Sequence, residues 1–324
     1  MSESVLGLDT SNYRTSVALV SPGGNVLFNR RELLPVPSGE CGLRQSDAVY
    51  AHLKRIRPLL EEAKPLMQAF PPAAVCASIR PRDRSDSYMP VFEAGDTIGR
   101  AIAAAMSIPF FPTDHQHGHI RAALAGTGLE GEKGFLALHL SGGTTDLLFC
   151  RGEELRELGT SLDLHAGQLM DRVGVALGCG FPAGPEMERM GREAHGSGEL
   201  GCAMEKGDLS CHLSGAEAQV KRWIRNGGKQ PGEIAREVFD LLARTSCRML
   251  AAGARVTGCR NALVFGGIAS SELFRCLLTD RLTRSRSAPR AWFGDPELSG
   301  DNAVGVALIG ADRLRAAKTG TDGN

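Results

Sequence analysis

FLALHLSGGTTDLLFC, residues 135–150, sets one apolar run against another across a small polar turn rich in glycine. This is the pattern of strand, tight turn and strand. The same scheme opens the chain. Val5 to Leu8 is a short apolar run ending in DTS (9–11), and Thr15 to Val20 is a second run that passes through SPGGN (21–25) into VLFNR (26–30). The chain therefore reads as two lobes that begin alike.

The segments between these starts read as an α/β protein. Helical patterns run from Ala48 to Phe70 and around Thr97 to Ser107, with a strand at Ala73 to Ile79. After the second start come helices near Ala166 to Leu177 and Pro231 to Ala254, the strand NALVFGG (261–267), and a helix from about Ser271 to Leu282. Composition agrees: 324 residues suit two domains, and 40 glycines with only 5% aromatics fit many tight strand-to-helix turns. Lys plus Arg equals Asp plus Glu at 37 each, so no global field gathers nucleic acid or anionic lipid, and an RNA contact needs a local patch or a partner. Nine scattered cysteines without a CxxC pair argue against a disulfide framework or zinc ribbon and point to a reducing cytoplasm. The first twenty residues lack a basic start and alternate apolar with polar, so neither a signal peptide nor a membrane span is expected.

Two features carry chemistry. TDHQHGHIRAAL (113–124) holds three of the eight histidines. On a helix, His115 and His119 share one face a turn apart, the spacing for a shared divalent ion, while His117 points elsewhere. A solvated helix start fits that spacing equally well, and a metal needs a third ligand; Asp301 in LSGDNAVGVALIG (298–310) has the right type but also reads as an ordinary N-cap. The second feature is the glycine turns SGGTTD (141–146) and FGGIASS (265–271), each after an apolar strand, where backbone amides can approach a phosphate or nucleoside. Neither is a P-loop or a dinucleotide fingerprint. Taken with DTS, they suggest a nucleotide held between two lobes.

The series DTSNYRTS, DHQHGH, LALHLSGGTTDL, DLHAGQLMDRVGVALGCGFPAGPEMERM, CHLSGAEAQV, LVFGGIASS and GDNAVGVA resembles, in order and spacing, the TsaD/Gcp family of tRNA threonylcarbamoyl transferases, once labelled O-sialoglycoprotein endopeptidases. The resemblance covers about 300 residues. It implies two ribonuclease-H-like lobes of the actin-like ATPase superfamily with a nucleotide cleft between them: 1–130, joined by a C-terminal helix from about 300 to 324, and 131–300. It also implies transfer of threonylcarbamoyl from its adenylate to N6 of adenosine 37 in tRNA, without a covalent nucleophile. A divalent metal, iron or zinc, would fall on His115, His119 and Asp301. An adenine nucleotide or acyl adenylate would fall on the turn Leu140, Ser141, Gly142, Gly143 and Thr144, with Asp171 and Gly184 at the ribose and Ser271 at the adenine. The implied partners are tRNA, a dimerising paralogue and a P-loop ATPase.

The chain departs from that pattern. Where the family carries an acidic pair in its first turn, this chain has Asn12, Tyr13 and Arg14; Thr144 replaces the histidine of SGGHT, and Leu164 and Gln168 replace acids. An arginine at a carboxylate position either repels the metal or binds a phosphate directly. The expectation is a divergent paralogue, with a nucleotide-binding scaffold lacking transferase activity as the alternative. HxxxH without the HExxH glutamate argues against a zinc protease. DRLTRSRSAPRAWFGD (280–295) reads as a solvated loop, with contact to tRNA phosphates as the alternative, RPRDRSD (80–86) as a solvated loop or one that faces substrate, His139 as a satisfied core residue, and Trp223 and Trp292 as packing or edge residues.

Overall fold

Near-continuous burial, rather than alternation, marks the central strands, the pattern of strands buried on both faces of a sheet. The computed structural model describes residues 3–11, 14–35, 43–84, 86–196, 198–298, 300 and 302–321. They form two units, Met1–Ala123 with Gly300–Asn324 and Leu124–Ser299.

The first unit carries β1 (Ser4–Asp9), β2 (Arg14–Val20), β3 (Val26–Leu33), α1 (Gln45–Ala69), β4 (Pro72–Ser78), α2 (Phe92–Met106), β5 (Phe110–Thr113) and α3 (His115–Leu124), whose last residue opens the other unit. The sheet order is β3-β2-β1-β4-β5. β1 pairs antiparallel with β2 and parallel with β4. Leu6 and Leu8 pack with Ile56 and Leu59 of α1 and Ala103 of α2, each buried leucine contributing about 1.5–3 kcal/mol. The opposite face of β1 meets the returning C-terminal helix: a Cβ on Gly7 would lie 2.7 Å from the Cβ of Ala307.

The second unit repeats the scheme with β6 (Phe135–Leu140), β7 (Thr145–Arg151) and β8 (Glu154–Thr160). Then follow α4 (Ala166–Ala176), α5 (Gly184–Arg192), the hairpin β9 (Ala203–Glu205) and β10 (Ser210–His212), α6 (Ser214–Asn226), α7 (Pro231–Thr257), β11 (Asn261–Phe265), α8 (Glu272–Arg284) and β12 (Arg290–Phe293). The final helix, α9 (Val304–Thr321), belongs to the first unit. The second large sheet runs β12-β11-β6-β7-β8, with β6 antiparallel to β7 and parallel to β11. Strand for strand this is the order of the first sheet. The core of this unit gathers Leu136, Leu138 and Leu147 of the sheet with Phe239 and Leu250 of α7.

The expected elements are present with shifted ends. α2 starts at Phe92 rather than Thr97: Gly95, poor in a helix by propensity, sits where its amide donates to Thr10 Oγ1 at 3.1 Å, and an added Cβ would lie 2.9 Å from that oxygen. The arginine-rich segment is not wholly a loop. Asp280–Arg284 completes α8 and Arg290–Phe293 forms the edge strand β12, because the loop reading weighed charge and ignored Leu278 and Leu282, which are buried in the core. Trp292 lies on that edge strand, against Gly128. His139 is half-buried, its ring stacked on Phe265 at 4.6 Å between centroids. Among the described residues no helix is long and apolar enough to cross a membrane.

Candidate functional site

The histidine stretch folds as α3, directly after β5. Asp114 fixes its start: Asp114 Oδ1 accepts from the His117 amide at 3.0 Å, and Oδ2 pairs with the His117 ring. His117 is thereby part of the cap. His115 and His119 face each other one turn on, Nε2 to Nε2 at 2.9 Å, with ring centroids 4.3 Å apart. Two imidazole nitrogens that close suit a shared proton or a shared cation.

Behind His115 lies Asp9, the last residue of β1 and fully buried. Its carboxylate reaches His115 Nδ1 at 3.2 Å and accepts from Ser11 Oγ at 2.8 Å and from Ser78 Oγ. A carboxylate on Nδ1 sets the tautomer that presents Nε2 outward, the arrangement that orients metal-binding histidines. The sequence reading passed over this role although DTS was in view. The available signal was a charge closing a strand of buried residues, which demands partners.

Asp301 lies outside the described residues, as do Asn12 and Tyr13. The neighbouring chain is clear. Asn302 Oδ1 accepts from the Val304 amide at 3.0 Å, so the cap of α9 comes from Asn302. A Cβ on Gly305 would lie 1.8 Å from the Gly118 carbonyl oxygen, so α9 begins against the histidine helix. Arg14 opens β2, and a Cβ on Gly300 would lie 3.1 Å from its Nη1 and 3.3 Å from Arg31 Nη1, which puts two cations next to Gly300. Among the described residues no group of three or more His, Cys, Asp and Glu is placed to hold a metal. The described donor set is the histidine pair with Asp9 behind it.

In the second unit the turn after β6 lies on the start of α4. Ser141 donates its amide to the Thr144 carbonyl at 2.8 Å, Gly167 donates to the Ser141 carbonyl at 3.0 Å, and the Ala166 amide donates to Thr145 Oγ1 at 2.8 Å. Cβ atoms added to Gly142 or Gly143 would meet nothing within 4 Å. The turn thus presents open backbone near a helix N-terminus, the arrangement that receives an anion. The turn after β11 is packed onto it: Gly266 has φ +99°, and a Cβ there would lie 2.4 Å from the Leu140 carbonyl oxygen. Both turns leave the C-terminal ends of adjacent parallel strands, where open α/β sheets hold ligands.

The remaining residues named from sequence are dispersed around that turn. Asp171 Oδ1 accepts from the Ala183 amide at 2.8 Å, which ties α4 to the start of α5, where Gly184 has open space around it. Asp171 also lines a cavity of about 470 Å³ with Arg172, Phe181 and Lys221. Ser271 caps α8, its Oγ accepting from the Phe274 amide at 3.2 Å. Asp163 is structural. Burial works against its charged form, but bonds from the Ser214 hydroxyl and the Leu213, Leu164 and Ser214 amides outweigh that and hold its pKa below the ordinary value.

The chain resembles several solved structures at low identity. Full-length HypF in a phosphate- and nucleotide-bound form matches with TM-score 0.61 at 12% identity, over 96% of this chain and 56% of that one. HypF from T. kodakarensis gives 0.60 at 12%, over 97% and 48%. This chain thus spans about half the length of the HypF chains. A ROK family glucokinase from Streptomyces griseus, in complex with glucose and AMPPNP, gives 0.54 at 14%, over 95% and 99%. These likenesses establish the two-lobed actin-like ATPase fold. The family model described as TsaD, tRNA N6-adenosine threonylcarbamoyltransferase, matches residues 92–307, a span that takes in the histidine pair and both glycine turns. The chain is a member of the TsaD family of tRNA N6-adenosine threonylcarbamoyltransferases.

Proposed function

We propose that this protein transfers a threonylcarbamoyl group from threonylcarbamoyl adenylate to N6 of adenosine 37 in tRNA, with a divalent metal, iron or zinc, held by His115, His119 and Asp301. The observation that carries the proposal is the facing Nε2 pair at 2.9 Å with Asp9 on the far nitrogen of His115. That donor set fits a borderline divalent ion. When bound, the metal supplies a Lewis acid for the phosphate and the mixed-anhydride carbonyl.

The protein's own residues orient and neutralise. Asp9 keeps His115 in one tautomer. The amides of the Gly142–Gly143 turn receive the adenylate phosphate, and Asp171 with Gly184 receives the ribose. The adenine amine attacks the carbamoyl carbon, the bond to the phosphate oxygen breaks, AMP leaves and the amine gives up its proton; no side chain is acylated. By family membership, a dimerising paralogue and a P-loop ATPase are proposed partners.

Arg14 favours a second reading. It stands where the family pattern has a carboxylate in the first turn and lies with Arg31 beside Gly300, so that two guanidinium groups weaken cation binding and suit a partner protein that binds nucleotide without transferring. One assay separates the two: labelled threonylcarbamoyl adenylate with unmodified tRNA, with and without partner subunits. Transfer that disappears in His115→Ala with His119→Ala, together with metal content, supports the enzyme. Retained nucleotide binding with no transfer, under conditions where another family member is active, overturns it in favour of the scaffold.

A further inference from the structure

A second cavity, of about 440 Å³, lies along α7 and α8 of the Leu124–Ser299 unit, and none of the residues assigned to the candidate site lines it. Arg244 and Arg248 of α7 and Arg281 and Arg284 of α8 form its walls, with Asp280 as the one acidic residue among them. The spacing explains the convergence. Residues four apart on α7 and three apart on α8 share a helix face, and the two helices pack against each other.

The neighbouring carboxylates do not balance these charges. Asp240 accepts from both Arg244 and Arg281, so two guanidinium groups share one acid. Arg248 pairs with Asp208 and Arg284 with Asp280, but both arginine side chains are at least half exposed. An exposed ion pair contributes only about 0–1 kcal/mol and gives way cheaply to another anion. Arg286, exposed and one residue past Ser285 of the cavity wall, has no ion-pair partner among the described residues. Five cations thus meet three carboxylates. Arg281 engages only Nη2, on Asp240, and its Nε is buried without a hydrogen-bond partner. Guanidinium groups match the paired oxygens of a phosphate. No aromatic ring lines the cavity, so it offers contact to phosphate and no platform for a base.

We propose that this arginine cluster is an RNA-phosphate site, which holds the backbone of the tRNA substrate by charge and does not read its sequence. The chain as a whole carries no net charge, so RNA is attracted only where arginines locally outnumber acids. The anion chemistry stands on the cavity alone. The choice of RNA as the source of the phosphate rests on the transferase reading.

The test measures binding of unmodified tRNA to the full chain by fluorescence anisotropy over a salt series, with no acyl donor present, so that the signal does not require transfer. Arg284→Gln with Arg286→Gln weakens binding on the order of tenfold and lowers the slope of log K against log salt by about 1–2, equally for tRNAs of different sequence. Both side chains are exposed, so the fold is kept. Arg284→Lys with Arg286→Lys retains the slope, because charge sets it. Arg57→Gln, at an exposed arginine of α1, leaves affinity and slope unchanged. Wild-type protein that does not bind tRNA, a glutamine pair that binds as the wild type does, or an equal loss in Arg57→Gln would each overturn the proposal. Calorimetry with inorganic phosphate and pyrophosphate separates the sources: tight pyrophosphate binding that disappears in the glutamine pair while tRNA affinity stays overturns it in favour of a free phosphate compound. The two readings fail separately. Arginine-dependent tRNA binding without threonylcarbamoyl transfer removes the transferase and keeps the RNA site, whereas transfer with arginine-independent binding does the reverse.

Discussion

The two units place turns at corresponding points of the same sheet order and use them differently. After β1, the chain packs side chains: Asp9 is fully buried and held by Ser11, Ser78 and His115. After β6, it exposes backbone: Gly142 and Gly143 face open space, and the turn rests on Gly167 and Thr145 at the start of α4. A strand-turn-strand frame is therefore neutral scaffolding. What fills the turn decides whether the site supplies side-chain ligands or backbone donors.

If the side-chain site depends on how closely α9 approaches α3, Gly305→Ala gives the largest effect, because its Cβ would sit 1.8 Å from the Gly118 carbonyl. The expected loss is about 3 kcal/mol or more, read by denaturant unfolding. Next, Asp9→Ala strands the partners of a buried carboxylate, for about 2–3 kcal/mol. In the proposed metal site it also lowers affinity ~10–100-fold by metal titration; unchanged affinity with lost stability would make Asp9 purely structural.

Thr145→Val, in the second unit, removes the acceptor of the Ala166 amide and costs about 1 kcal/mol, measured as a shift in Tm. Gly143→Ala is the sharpest contrast: stability stays within about 0.5 kcal/mol, while nucleotide affinity by calorimetry falls if the turn binds phosphate. Equal affinity would remove the backbone-donor reading. The smallest effect is acidic. Because the folded state holds the Asp163 pKa below the unfolded value near ~3.9, the folded protein releases that proton first. Its stabilising contribution is complete above that pH and is lost as pH falls through the lower, folded value. The acid limb of Tm against pH should therefore be shallower in Asp163→Asn than in the wild type.

How much was legible follows from how local each signal is. The apolar runs 5–8, 15–20 and 135–140, with glycine turns beside them, gave the strands and the doubled scheme, since pleat and turn chemistry act over a few residues. The His115–His119 spacing likewise depends only on the helical repeat. Helix starts were less legible where glycine was chosen for a close neighbour, as at Gly95 against Thr10. The loop reading of 280–295 failed because charge pattern alone does not register Leu278 and Leu282 in the core.

The sequence by itself therefore determined the α/β class, the repeated strand scheme and the family, all properties of short-range pattern and residue order. Only the tertiary structure decided that Asp9 backs His115 across 106 positions, that the 141–144 and 265–271 turns stack, and that four arginines from two helices line one cavity. The physical reason is that burial, hydrogen-bond partnership and cavity charge are set by distance in space. Residues far apart in sequence acquire those properties only when sheets and helices bring them together.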